Sequence, residues 1–181
     1  MSYQKLDSFE LPKGFRGRNF VIVQVWWFVQ CTLFALSPQV CYGWRRMLLR
    51  LFGANIGEKV IIRPTVRITY PWKLSIGENS WIGDHVDLYS LGEIDIGSNC
   101  VVSQKSYLCT GSHDYTKESF DIFQKKIVIE NEAWLATDVF VAPGVVIGKG
   151  TLIGARSSVF SSVPSGKICV GSPAKVVGER D

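Results

Sequence analysis

The chain has 181 residues and a mass of 20.2 kDa, room for one full domain and a small appendage. Its 46% hydrophobic and 20% charged content excludes long intrinsic disorder, and 17 Gly with 7 Pro exclude a collagen-like chain. The net charge of +4 comes without any Lys/Arg run, which argues against a nucleic-acid partner, whereas a mean hydropathy of +0.13 keeps membrane contact in view.

The two ends of the chain differ. Residues 1–55 carry a net charge of +5 and the remainder −1, so the basic character belongs to the N-terminal segment. Phe20 to Leu36 is apolar apart from Gln24, Gln30 and Thr32. That run is borderline for a bilayer span. It begins after Asp7 and Glu10, and no A-x-A site follows it, which argues against a cleaved signal peptide. Pro38 breaks the chain. Val40, Trp44, Leu48 and Leu51 then recur at helical spacing, opposite Arg45, Arg46 and Arg50, and Gly53 offers a stop. The pattern predicts two helices, over 18–36 and 39–52, and a domain boundary after residue 55. Two roles fit them. They could cap the main domain and bury their aromatics, or form a basic amphipathic anchor with Trp26, Trp27 and Trp44 at the membrane interface.

From residue 56 an aliphatic residue recurs every sixth position. The series runs Ile56, Ile62, Ile68, Leu74, slips by two to Ile76, Ile82, Leu88, Ile94, and slips again to Ile96, Val102, Leu108. After a gap it resumes at Ile129, Leu135, Val141, Ile147, Ile153 and Val159. All 17 positions are Ile, Leu or Val. The next residue is often Gly or Ala, and the residue four after the aliphatic one is mostly small or β-branched. A period of six means a short strand with one inward aliphatic residue, then a turn, then a small residue at the corner. Three such faces close a triangular coil, and stacked coils bury a narrow core. A β-sandwich would instead show period-two strands with turns every 8–12 residues. The fold class expected is therefore mainly β: a parallel β-helix with an N-terminal helical segment and a protruding loop at about 113–128. The slips place small bulges at the corners of the first two coils.

Five cysteines with no CxxC pair read as reduced thiols packed as small apolar residues, and only two histidines argue against a zinc site. His113 opens the loop. A histidine leaving a rigid coil at the root of a loop is well placed for catalysis, since its pKa near neutrality suits a general base.

The repeat resembles that of the hexapeptide-repeat acyltransferases, over about residues 53–178. The segments that carry the likeness are Leu51-Phe52-Gly53-Ala54, Tyr70-Pro71-Trp72, Leu108-Cys109-Thr110-Gly111-Ser112-His113-Asp114, Val141-Ala142-Pro143-Gly144-Val145 and Gly171-Ser172-Pro173-Ala174. Within that family the chain is most similar to the colanic acid biosynthesis O-acetyltransferases, which share the aromatic N-terminal segment with Ser37-Pro38. The resemblance implies a left-handed β-helix, a homotrimer and acetyl-CoA as donor, with no metal.

It also implies site residues. His113 would be the catalytic base, with Asp114 orienting the imidazole or the acceptor. Thr137 would meet the oxyanion, and Trp134 would line the site or the seam between subunits. Ala136, Ala142, Gly154 and Ala155 would let the pantetheine arm approach the backbone, and Lys167, Pro173 and Lys175 would lie near the CoA phosphates. Asp84, His85, Asp87 and Tyr89 are candidates for the acceptor. Two departures stand out: Gly83 replaces the asparagine of galactoside-type enzymes, and Phe160-Ser161 replaces a Thr-Lys or Thr-Arg pair.

The function expected is O-acetylation of a small-molecule or lipid-linked sugar for a surface polysaccharide, in the cytoplasm or at the inner face of the membrane. The rivals are N-acetylation of an amino sugar, acetylation of an antibiotic or other small molecule, and a non-catalytic β-helix scaffold. A γ-type carbonic anhydrase would need more histidines than the chain contains.

Overall fold

The computed structural model describes residues 3–180. Its body is a three-sided β-helix. The first sheet takes β1 (Asn55–Ile56), β4 (Leu74–Ile76), β7 (Ile94–Ile96), β12 (Ile127–Ile129) and β15 (Val146–Ile147). The second takes β2 (Ile61–Ile62), β5 (Trp81–Ile82), β8 (Val101–Val102), β13 (Trp134–Leu135) and β16 (Leu152–Ile153), and ends in the antiparallel pair β18 (Lys167–Gly171) and β19 (Ala174–Glu179). The third takes β3 (Arg67–Ile68), β6 (Asp87–Tyr89), β9 (Tyr107–Cys109), β14 (Phe140–Val141) and β17 (Ser158–Val159). Pairing between successive coils is parallel throughout.

Every one of the 17 periodic aliphatic positions points inward, none more than 4% exposed. Each such burial contributes about 1.5–3 kcal/mol, so the repeat itself is the core. The corners demand small residues because adjacent coils touch there: a Cβ on Gly77 would lie 2.5 Å from the Ser98 amide nitrogen.

The two slips produce coils of 20-residue register, Asn55 opposite Ser75 and Ser75 opposite Asp95. The extra residues bulge at one corner, between the third sheet and the first, where the 3-10 turn Pro71–Lys73 sits. The loop leaves from the same corner. It is a hairpin of β10 (Gly111–His113) and β11 (Ile122–Gln124). The chain rejoins the first sheet at Ile127, slightly earlier than the spacing predicts.

The helical segment matches expectation: α1 (Phe20–Val29) continues through a wider turn, Gln30–Phe34, and α2 spans Tyr42–Leu51. Asn19 caps α1 by accepting the Ile22 amide at 2.9 Å, and Gly53 at φ +92° ends α2 in a conformation other residues resist. The pair caps the open end of the β-helix, where first-coil backbone groups have no coil to pair with. Arg45 Nε donates to the Ile62 carbonyl at 2.7 Å, Arg46 Nη1 to Val60 at 2.9 Å and Arg50 Nε to Ile56 at 2.9 Å. Trp26 Nε1 donates to the Ile68 carbonyl, and the Gln30 side chain accepts the Ile68 amide. All three sheet edges are thereby satisfied. This corrects two parts of the anchor reading. Trp26 is fully buried, and the arginines of α2 face the protein. Trp26, Phe34, Leu48 and Leu49 join the same core as the β-helix aliphatics.

Of the cysteines, Cys100, Cys109 and Cys169 are buried, whereas Cys31 is exposed.

Candidate active site

His113 closes strand β10, opposite Ile122 of β11. Its Nδ1 lies 2.7 Å from the Phe120 carbonyl oxygen. A carbonyl only accepts, so Nδ1 carries the proton and Nε2 keeps its lone pair. The ring stacks on Phe120 at 4.3 Å with an 8° tilt, and Phe9 approaches its other surroundings at 5.9 Å. Phe120 sits at φ +51°, a strained position for a bulky residue, and that turn is what aims its carbonyl at the imidazole.

An open cavity of about 680 Å³ lies beside the ring, lined by Glu10, Pro12, Ser112, His113, Asp114, Tyr115, Lys117, Asp121, Ile122, Phe123 and Lys125. The cavity is one thing the sequence reading missed. Residues 3–18 form a strap along the bulging corner. The Lys5 amide donates to the Glu118 carbonyl at 2.6 Å, Trp72 Nε1 donates to the Arg16 carbonyl and Lys73 Nζ to the Phe15 carbonyl. The strap thus brings Phe9, Glu10 and Pro12 to the histidine. No periodicity or motif in the sequence marks them.

Asp114 does not orient the imidazole. Its Oδ1 accepts the Thr116 amide at 3.0 Å and the Thr116 hydroxyl at 2.6 Å, and those bonds hold its pKa below the ordinary carboxylate value. It shapes the loop and lines the cavity, while Phe120 does the orienting.

The other expected residues lie elsewhere on the subunit. Ala136 and Thr137 follow β13, at the corner between the second and third sheets, and Gly154 and Ala155 follow β16 at the same corner. Trp134 stands outward on the second sheet with its Nε1 on Ser103 Oγ at 3.1 Å. The Thr137 hydroxyl donates to the Gln104 carbonyl at 3.0 Å. The width of the third sheet separates this group from His113. Ala142, by contrast, follows β14 at the bulging corner, on the histidine's side, and is buried. Lys167 pairs with Glu179 across the terminal hairpin, and Pro173 and Lys175 are exposed at its far end.

The acceptor candidates divide as well. Asp84 is held by Arg63 Nε at 3.0 Å and the Thr65 hydroxyl at 2.9 Å. His85 is an exposed corner residue at φ +57°. Asp87 and Tyr89 stand on the third sheet, in a groove of about 500 Å³ beside Trp27 and Gln30 of the cap. Burial raises the pKa of Asp87, with Arg67 acting against it, and burial raises Tyr89 as well. Tyr89 also packs in the small cluster that includes Ile122, so this groove adjoins the base of the histidine hairpin.

No protein-family model matches the chain. It is 62% identical over 177 residues to WcaF of Escherichia coli K12, named as a colanic acid biosynthesis acetyltransferase, covering 98% of this chain and 97% of that one. The chain belongs to the hexapeptide-repeat acetyltransferase family. The galactoside O-acetyltransferase of Escherichia coli K12 is 27% identical over 75% of this chain and 68% of its own length. A galactoside acetyltransferase solved with coenzyme A superposes with a TM-score of 0.83 at 22% identity, over 95% of this chain and 85% of that one. A maltose O-acetyltransferase from Clostridium difficile 630 gives 0.81 at 22% identity, over 90% of each. These structural likenesses establish the shared left-handed β-helix, whose hand runs against the usual right-handed crossover. Membership makes the protein an acyltransferase enzyme and removes the scaffold alternative.

Proposed function

We propose that the protein transfers an acetyl group from acetyl-CoA to a sugar hydroxyl in exopolysaccharide synthesis, with His113 as general base. The observation that carries this reading is the 2.7 Å bond from His113 Nδ1 to the Phe120 carbonyl, which leaves Nε2 basic beside an open, polar cavity. Nε2 takes the proton of the hydroxyl as its oxygen attacks the thioester carbonyl. The tetrahedral intermediate collapses, the C–S bond breaks, and the imidazolium returns the proton to the departing thiolate. The Phe120 carbonyl stabilises the imidazolium meanwhile, and no nucleophile of the chain is needed. The full-length relative named for colanic acid biosynthesis supports the exopolysaccharide acceptor.

The site is completed between subunits. Trp134, Thr137, Ala136, Gly154 and Ala155 face away from the His113 of their own chain, so a neighbour supplies them. The sheets support a trimer in which the second sheet of one subunit meets the third of the next. The outward row of the second sheet is Trp81, Val101, Trp134 and Leu152. On the third, Tyr89, Tyr107, Phe140 and Phe160 form a ladder with ring centroids 5.7–6.0 Å apart. The first sheet shows Asn55, Ser75 and Asp95 and stays in water. Because the Thr137 hydroxyl hydrogen is committed to Gln104, its amide N–H is the group left to meet the oxyanion. Ala136, Gly154 and Ala155 would accommodate the pantetheine arm, and Lys175 the phosphates. Asp84, Asp87 and Tyr89 flank the acceptor. The reaction takes place in the cytoplasm, at the inner face of the membrane, on a lipid-linked sugar.

The test is thiol release from acetyl-CoA with a panel of nucleotide-linked and lipid-linked sugars, wild type beside His113→Ala. Turnover with one acceptor class, lost in the variant while acetyl-CoA binding persists, establishes the reading. Turnover that survives His113→Ala overturns it.

A further inference from the structure

Helix α2 turns its arginines toward the body and leaves part of its apolar surface outside. Its cationic stripe points into the body and is consumed by first-coil carbonyls. Its apolar residues divide: Leu48 and Leu49 pack into the core, whereas Trp44 at 40%, Met47 at 42% and Leu51 at 72% exposure stand on the outer side. A helix lying against water shows the reverse arrangement. The segment before it adds further exposed apolar side chains: Phe20 is 63%, Phe28 68% and Leu36 80% exposed. Helix α1 is apolar apart from the exposed Gln24, and only one side has core to pack on. No aspartate or glutamate occurs between Asn19 and Gly57. Lys13 and Arg18 are exposed just ahead of α1, and neither forms an ion pair among the described residues. So many exposed apolar side chains on one segment, with cations at its margin, mark an interaction site.

We infer that this surface docks on an anionic lipid bilayer. The six apolar side chains enter the boundary between headgroups and acyl chains, with Lys13 and Arg18 at the level of the phosphates. The inference rests on the membrane location proposed above and gives that location its surface. Three points favour lipid as the occupant. The cationic margin and the acid-free segment complement negative charge, not a second copy of themselves: a two-fold pairing would set like charges together. The apolar rows of the second and third sheets already provide for assembly. The helical run over 20–34 is about 22 Å long, short of the ~30 Å hydrocarbon core, so it lies along the surface rather than across it. In keeping with this, no helix among the described residues is long and apolar enough to cross a membrane.

The experiment is co-sedimentation of the full-length protein with vesicles of phosphatidylethanolamine and phosphatidylglycerol, and with vesicles of phosphatidylcholine alone. Wild type should partition onto the anionic vesicles with a blue shift of tryptophan emission. The double variant Phe28→Glu with Leu36→Glu should partition at least about tenfold less, with unchanged far-ultraviolet circular dichroism. Lys13→Gln with Arg18→Gln should weaken anionic binding and reduce its sensitivity to salt. Wild type remaining in the supernatant overturns the inference, as does equal binding by the Glu variant. A halving of assembly mass in that variant, read by sedimentation equilibrium, overturns it in favour of a second copy. Acetyl transfer to a soluble sugar, measured in parallel, reports on the catalytic reading alone and should be the same in the Glu variant as in wild type.

Discussion

His113 and Phe120 hold each other twice: the imidazole Nδ1 bonds the Phe120 backbone carbonyl at 2.7 Å, and the two rings stack at 4.3 Å. The backbone bond sets the tautomer, and the stack sets the ring plane. His113→Ala should therefore lower kcat by about 10²–10⁴-fold with acetyl-CoA affinity retained in calorimetry. Phe120→Ala keeps the carbonyl but removes the platform, and its kcat should fall by about 10–100-fold.

The strap offers a contrast between two of its contacts. Lys5 and Glu118 pair at 3.2 Å with both side chains more than half exposed, so Lys5→Ala should cost under about 1 kcal/mol in a denaturant titration. Phe9 sits 5.9 Å from the imidazole, and Phe9→Ala should raise the acceptor KM while leaving the acetyl-CoA KM in place. Steady-state kinetics with each substrate varied will show it. An equal rise in both would assign Phe9 a general packing role.

Arg45 is a buried cation that bonds the Ile62, Pro38 and Gln39 carbonyls and the Ser37 hydroxyl, and burial lowers its pKa. Arg45→Met would leave that cluster of acceptors without donors. The expected loss is about 3 kcal/mol of unfolding free energy, and Arg45→Lys should recover only part, since an ammonium cannot reproduce the planar fork.

Burial raises the pKa of Asp87 above its unfolded value, so the folded state holds the proton more tightly. The stability this lends is present below the unfolded carboxylate pKa and is lost as pH rises through the folded one. At neutral pH the ionised carboxylate is thus a cost. Asp87→Asn should melt higher than wild type near pH 7, and the difference should shrink as pH falls into the carboxylate range. A gap that stays constant with pH would contradict the assignment.

Separation of His113 from Trp134 predicts complementation. His113→Ala and Trp134→Ala chains should each be weakly active alone. Co-refolded, they should regain a fraction of wild-type activity, because mixed assemblies of the proposed trimer would contain some seams with both intact residues. No recovery in a proven mixed assembly would place the whole site within one subunit.

The β-helix could be read from the chain because its core is periodic. One aliphatic residue per face and a small residue per corner are short-range requirements, repeated until chance cannot imitate them. His113 was legible for a related reason, as the residue at which that period breaks. The role of Asp114 was not, since the choice between its own turn and the imidazole depends on where the Thr116 hydroxyl and the Phe120 carbonyl come to rest.

Two further features were decided only by the tertiary structure. Residues 3–18 have no period, and their partners Trp72, Lys73 and Glu118 lie far along the sequence, so nothing local announces that Phe9 and Glu10 reach the histidine. The pattern of α2 likewise determined that the helix has a cationic and an apolar face, but not which one turns inward. That was settled by the open edge of the first coil, whose unpaired carbonyls need donors more than the core end needs further hydrocarbon. The arginines turn in to meet them, Leu48 and Leu49 pack on the core, and Trp44, Met47 and Leu51 are left outside.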